Sequence, residues 1–97
     1  MRTIPMNQWG EFLGTRFLGE EAQKILKQAL AADSEVCLDF DGVRGVSHSF
    51  ADEAVGVLAQ ELGLEAFKQC VRFQGLNNEI KTVLRFVVAE RVTKHVA

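Results

Sequence analysis

The stretch Val36 to Phe40 (VCLDF) constrains this chain more than any other. Val36, Cys37, Leu38 and Phe40 are apolar on both alternations of an extended backbone, and only Asp39 interrupts them. A strand of that kind is covered on both faces or lies inside a sheet. Asp39, near its end, is expected at the rim, bonded to turn amides; the alternative is a functional carboxylate at the mouth of a site. A polar turn with two glycines follows, Asp41 to Ser49, and then a helix with Ala51, Ala54, Val55, Leu58 and Leu62 on one face. The unit from Val36 to Leu62 is therefore a central strand, a turn and a helix. The rest of the chain must pack around it.

Upstream, Thr3 to Met6 is a short strand, and Pro5 sends it to a sheet edge because proline donates no ladder bond. NQWGEFLGTR reads as an ordered loop with Trp9, Phe12 and Leu13 packed down, and residues 8–14 leave room for a fourth strand. The next helix carries Leu18, Ala22, Ile25, Leu26, Ala29 and Leu30 as one stripe. It starts after a Thr15 N-cap or at Gly19; the stripe reaching back to Leu18 favours Thr15, and Ala32-Asp33-Ser34 ends it. Glu20 and Lys24 are spaced for an i,i+4 pair.

In the helix after the central strand, Ser49 is the expected N-cap with Asp52 three residues on. Asp52 and Glu53 suit the positive end of the helix dipole. Gly56, unfavourable in a helix, suggests a close helix–sheet contact, and Gly63 a stop. Leu64 to Gln69 adds helical turns, Val71 to Phe73 alternates as a strand, and Gly75 marks a turn. Asn77 caps a last helix whose stripe is Ile80, Val83, Leu84, Val87, Val88 and Arg91. Arg85, Arg91 and Lys94 suit its C-terminus.

This alternation predicts an α/β fold in one domain, residues 1–97. It has a small, largely parallel or mixed sheet of three to four strands with helices packed on it. The formal charge of −2 argues against nucleic-acid or membrane-surface binding, which need a basic face. No apolar run is long enough to span a bilayer, and MRTIPMNQWG lacks the apolar core of a secretory signal. The expected compartment is the cytoplasm. Cys37 and Cys70 lie in apolar patterns and read as reduced, buried residues. The histidines, His48 and His95, are far apart, so no metal site is expected, nor any cofactor. Gly42 and Gly45 form neither GxGxxG nor a P-loop. Ser47-His48-Ser49 are adjacent, and adjacent residues rarely face each other as a nucleophile and base must; with no G-x-S-x-G elbow either, the expected activity is non-enzymatic.

In open α/β sheets, ligands meet the C-terminal ends of the strands. Two turns leave such ends here, NQWGEFLGTR and DGVRGVSHS, and both feed helix N-termini that favour anions. If the first two strands are parallel neighbours, Thr15, Arg16, Ser47, His48 and Ser49 gather on one rim. Arg16 and Arg44 are the candidate anion clamps. One function class is thus a small-anion or nucleotide sensor near Arg16 and Ser49.

The segment LDFDGVRGVSHSFADEAVG also resembles the STAS-like bacterial domains of unknown function: a strand ending in LDF, a turn with GV, and SFADE (Ser49 to Glu53) opening a helix. FLGTR with a helix behind it fits the same pattern, so the resemblance spans most of the chain. It implies a STAS-like fold and a distant similarity to the STAS domains of anti-sigma factor antagonists. Those are non-enzymatic switches that bind a histidine-kinase-like ATPase and are phosphorylated on a serine at this strand-to-helix turn. There the turn reads roughly Asp-Ser-Ser-Gly-Leu-Gly; here Ser47-His48-Ser49-Phe50-Ala51 lacks the acidic residue and the glycine. The resemblance implies Ser49 or Ser47 as the phosphorylation site, and a protein partner such as that ATPase or an anti-sigma factor. The partner surface would be built from Thr15, Arg16, Asp41, Arg44, His48, Phe50, Asp52 and Glu53.

Overall fold

A computed structural model of the chain describes residues 1–94; His95 and the side chain of Lys94 lie outside what it describes. Three strands, β1 (Arg2–Pro5), β3 (Val36–Asp39) and β5 (Val71–Gln74), form a parallel sheet in the order β1-β3-β5. The VCLDF strand is central, as its apolar pattern requires, and the proline-bearing strand is at an edge. A second, two-stranded parallel sheet pairs β2 (Phe12–Leu13) with β4 (Gly45–Val46). Residues 8–14, read as a loop with room for a fourth strand, do contain one, and it pairs outside the main sheet.

The register assigns each face of the main sheet. Ile4, Val36, Leu38, Val71 and Phe73 share one side and join the hydrophobic core. The other side carries Thr3, Pro5, Arg72 and Gln74, all exposed. Cys37 is on that polar side, buried between its two neighbouring strands. The central strand is thus apolar on both alternations because it is inside the sheet, and helices cover one face only. Both cysteines are free, and Cys70 is half-buried rather than buried as expected.

Helix α1 (Arg16–Ala32) starts where its stripe predicts, with Leu18 N donating to Thr15 Oγ1 at 3.1 Å. Lys24 pairs with Glu21 (3.9 Å) instead of Glu20. After β4 the chain forms one continuous helix in three parts: α2 (His48–Ala51), a π-helical stretch (Asp52–Gly56) and α3 (Val57–Leu62). Its N-cap is Ser47, not Ser49: Phe50 N donates to Ser47 Oγ at 3.0 Å. The reason is the preceding strand. Val46 is the last residue of β4, Ser47 N still donates to Leu13 O, and the residue that turns from strand into helix is the one that caps.

Gly63 ends that helix and α4 (Leu64–Cys70) follows at once. Gly75 makes the turn after β5 at φ +71°, with its Cα so close to Asp41 N that a Cβ would sit 2.7 Å from it. Asn77 Oδ1 accepts from Ile80 N (2.8 Å) at the start of α5 (Asn78–Lys94). The core is a single cluster in which Phe40, Phe50, Met6, Leu13 and Leu26 are fully buried. Each such side chain contributes about 1.5–3 kcal/mol of transfer free energy. No helix of the described residues is long and apolar enough to cross a membrane.

Candidate functional site

The parallel β2–β4 pair places two helix starts side by side. Thr15 caps α1 two residues after β2, and Ser47 caps α2 directly after β4. The convergence foreseen for Thr15, Arg16, Ser47, His48 and Ser49 is present, and the small sheet produces it rather than β1 and β3. Around this rim the surface is partly apolar. Phe12 is 67% exposed, and Phe17 in the first turn of α1 is also exposed. His48 meets exposed Phe86 of α5 edge-on, with ring centroids 4.9 Å apart. A shallow trough of about 280 Å³ lies between Phe12, Arg44, Ser47 and Glu79.

Behind the rim is an ionic cluster. Asp52 is only 8% exposed. Arg91 of α5 grips it with both arms, Nε to Oδ1 at 2.8 Å and Nη2 to Oδ2 at 2.7 Å, and gives its third donor to Gln60 Oε1 at 2.9 Å. Arg16 spans the same carboxylate (3.2 Å) and Glu53 (2.8 Å). A planar guanidinium bound to a carboxylate in this two-point manner is among the stronger protein ion pairs. The Arg91 bonds, then those of Arg16, hold the Asp52 carboxyl below the usual carboxylate range, against the opposing effect of burial. Glu53 and Asp52 raise Arg16 in turn, and Asp52 raises Arg91.

Two glycines make this cluster possible. A Cβ on Gly56 would come within 2.9 Å of Asp52 Oδ1 and 3.1 Å of Arg91 Cγ. Gly56 therefore marks a close helix–helix approach to α5, not the helix–sheet contact its position suggested. A Cβ on Gly19 would lie 2.8 Å from Glu53 Cβ and 3.0 Å from Phe50 O, so α1 crosses the second helix at its glycine. The π-helical stretch coincides with Asp52 to Gly56; such bulges occur often at functional positions in helices.

The remaining expected site residues divide. Arg44 and His48 are exposed at the rim, and Glu53 is half-buried beneath it. Phe50 is not a surface contact: it is 1% exposed and belongs to the core. Asp52 is not a free first-turn charge but the buried centre of the ion cluster. Asp41 sits in the turn after β3, where its amide donates to Asp39 Oδ1 at 2.9 Å, which is the rim role foreseen for Asp39. It packs against the turn after β5, where a Cβ on Gly75 would sit 2.7 Å from its amide nitrogen. Arg91 and Gln60 were not foreseen as site residues. The signal for Arg91 was its place on the apolar stripe of α5, where an arginine must meet a buried anion.

Residues 21–81, more than half of the chain, match the family described as a STAS-like domain of unknown function (DUF4325). No curated protein and no solved structure matches the chain. The matched span contains the central strand, the Ser47-capped helix, the π-helical stretch and the Asp52 cluster apart from Arg16 and Arg91. On this match and on its α/β fold, the chain belongs to the STAS-like domain family.

Proposed function

We propose that this protein is a non-enzymatic regulatory module that binds a protein partner through the rim formed by the starts of α1 and α2. The observation that carries the reading is the pairing of those two helix starts with exposed Phe12, Phe17 and Phe86 and with Arg44. Exposed aromatic residues and arginine are the residue types that protein interfaces concentrate. The ionic cluster of Asp52, Arg16 and Arg91 supports the rim from beneath by fixing α1 and α5 to the helix that bears it. A histidine-kinase-like ATPase or an anti-sigma factor is the proposed kind of partner, on the strength of the distant likeness to anti-sigma factor antagonists.

Ser49 is the proposed phosphorylation site in preference to Ser47. The Ser47 oxygen already caps the helix, whereas Ser49 takes no part in the cap and stands in the first turn. A phosphate there adds nearly two negative charges beside the amides of a helix start. Asp52 and Glu53 would oppose it less than their charges suggest, because Arg16 and Arg91 already pair with them. The small-anion sensor is the weaker reading, since Arg16, the cation it needs, is committed to Glu53 and Asp52.

The test is titration of the purified protein against ATPases and anti-sigma factors from the same genome. Phe12→Asp and Arg44→Glu should each weaken binding by at least about tenfold with unchanged melting. Full affinity in both variants would refute the rim as the partner surface. Incubation with the binding ATPase and ATP, followed by intact mass, tests Ser49; a phosphate that persists in Ser49→Ala would rule that residue out.

A further inference from the structure

A second surface lies on the other side of α5. Between α4, β5 and α5 runs an open groove of about 450 Å³, its floor and walls made by Leu64, Phe67, Phe73, Leu76, Leu84 and Val88. Along α5 it extends from Lys81 to Thr93, about 18 Å at a rise of 1.5 Å per residue. Three cations edge it: Lys68 on the α4 wall, Lys81 and Arg85 on the α5 wall. Among the described residues no Asp or Glu lines it, although acidic residues outnumber basic ones in the chain. Among the described residues none of the three cations is in an ion pair. Elsewhere among the described residues, Arg16, Lys24, Lys27, Arg72 and Arg91 are each paired with a carboxylate.

We infer that this groove is a docking site for an acidic amphipathic helix of a partner protein. The charge distribution selects that occupant. A second copy of the chain would set these cations against their own symmetry mates, with no carboxylate between them. A fatty acid brings one carboxylate at one end, whereas the cations here stand on both walls. An amphipathic helix laid in the groove presents apolar anchors at i, i+4 and i+7 to the floor and acidic residues to both walls. The groove accommodates about three turns of such a helix. The site is separate from the rim around Ser47 and does not depend on it.

The test uses two synthetic helical peptides of about 18 residues, enough to overrun the groove at 1.5 Å per residue. Both carry leucine at i, i+4, i+7 and i+11, one flanked by glutamates and the other by lysines. Fluorescence anisotropy with the full chain should show the glutamate peptide binding at least about tenfold tighter than the lysine peptide. Lys81→Glu with Arg85→Glu, both exposed and so without effect on folding, should reverse that order. Arg44→Glu, at the rim, should leave it unchanged. Equal binding of the two peptides, or of neither, would overturn the inference. So would binding of the glutamate peptide that Lys81→Glu with Arg85→Glu leaves intact. Sodium laurate that binds where neither peptide does would assign the groove to lipid, and a dimer in sedimentation that dissociates on Leu64→Asp would assign it to a second copy. Either result contradicts the inference.

Discussion

Removing the Asp52 carboxylate is the sharpest perturbation of the ionic cluster. Asp52→Ala strips both arms of Arg91 and one bond of Arg16 of their acceptor. Breaking a buried pair by deleting one partner costs about 3–5 kcal/mol, because the other charge is left desolvated and alone. Here the Arg91 side chain is 30% exposed, so water recovers part of that penalty, and the expected loss is about 2–3 kcal/mol. For a domain of this size each kcal/mol shifts the melting temperature by about 4–8 °C, so the midpoint should fall by about 10–20 °C. With a urea m-value near 1 kcal/mol/M, the same loss moves the urea midpoint down by about 2–3 M. Far-UV circular dichroism during urea unfolding reads both stability and m-value. A loss of less than about 0.5 kcal/mol, the range of an ordinary surface change, would refute the claim that this carboxylate ties α5 to the second helix. The paired replacement Asp52→Leu with Arg91→Met separates the ion pair from its packing. It should recover most of the loss, because apolar residues of similar size often replace a buried pair without penalty.

The pH dependence of stability follows from the same carboxylate. Its folded pKa is depressed, mainly by Arg91, so its contribution is complete above the unfolded carboxylate value of about 4 and is lost as pH falls through and below it. Wild type should therefore lose more stability than Asp52→Asn between about pH 5 and pH 3 in matched urea titrations; parallel curves would contradict this. Ser47→Ala should cost about 1 kcal/mol and Ser49→Ala less than about 0.5, measured by thermal melting, because only Ser47 caps. A larger loss in Ser49→Ala than in Ser47→Ala would return the cap to Ser49. Gly19→Ala gains about 1 kcal/mol of helix propensity yet should destabilise by about 1–2 kcal/mol net, because its Cβ meets Glu53 and the Phe50 carbonyl. A stabilised variant would show that α1 has room to move away.

The elements most legible in the sequence were those with long, regular apolar stripes or a decisive local residue. α1, the central strand, β5 and α5 follow from periodicity, and Thr15, Asn77 and Gly75 from cap and turn chemistry. The two-residue strands β2 and β4 carry no period that a sequence pattern can register, and they are what set the rim and moved the cap from Ser49 to Ser47. The ionic cluster was illegible for a different reason. Asp52 and Arg91 are 39 residues apart, and each has a satisfactory local explanation, one as a first-turn acid and the other as a last-turn base. Only the apolar company of Arg91 on its stripe conflicted with that explanation. Phe50 was misplaced on the surface because it follows the polar run Ser47-His48-Ser49, yet it occupies the inward face of the helix beside Ala51 and Ala54.

The proposal that a partner protein binds the rim at the starts of α1 and α2 can be tested on the intact protein. Calorimetric titration with the ATPase or anti-sigma factor of the same genome that binds wild type tests it most directly, with Phe12→Asp/Arg44→Glu as the comparison protein. Wild type should bind, and the double variant should lose at least about tenfold in affinity at an unchanged melting temperature; Phe12 and Arg44 line one trough, so their separate effects need not add. A double variant that binds with wild-type affinity would contradict the proposal.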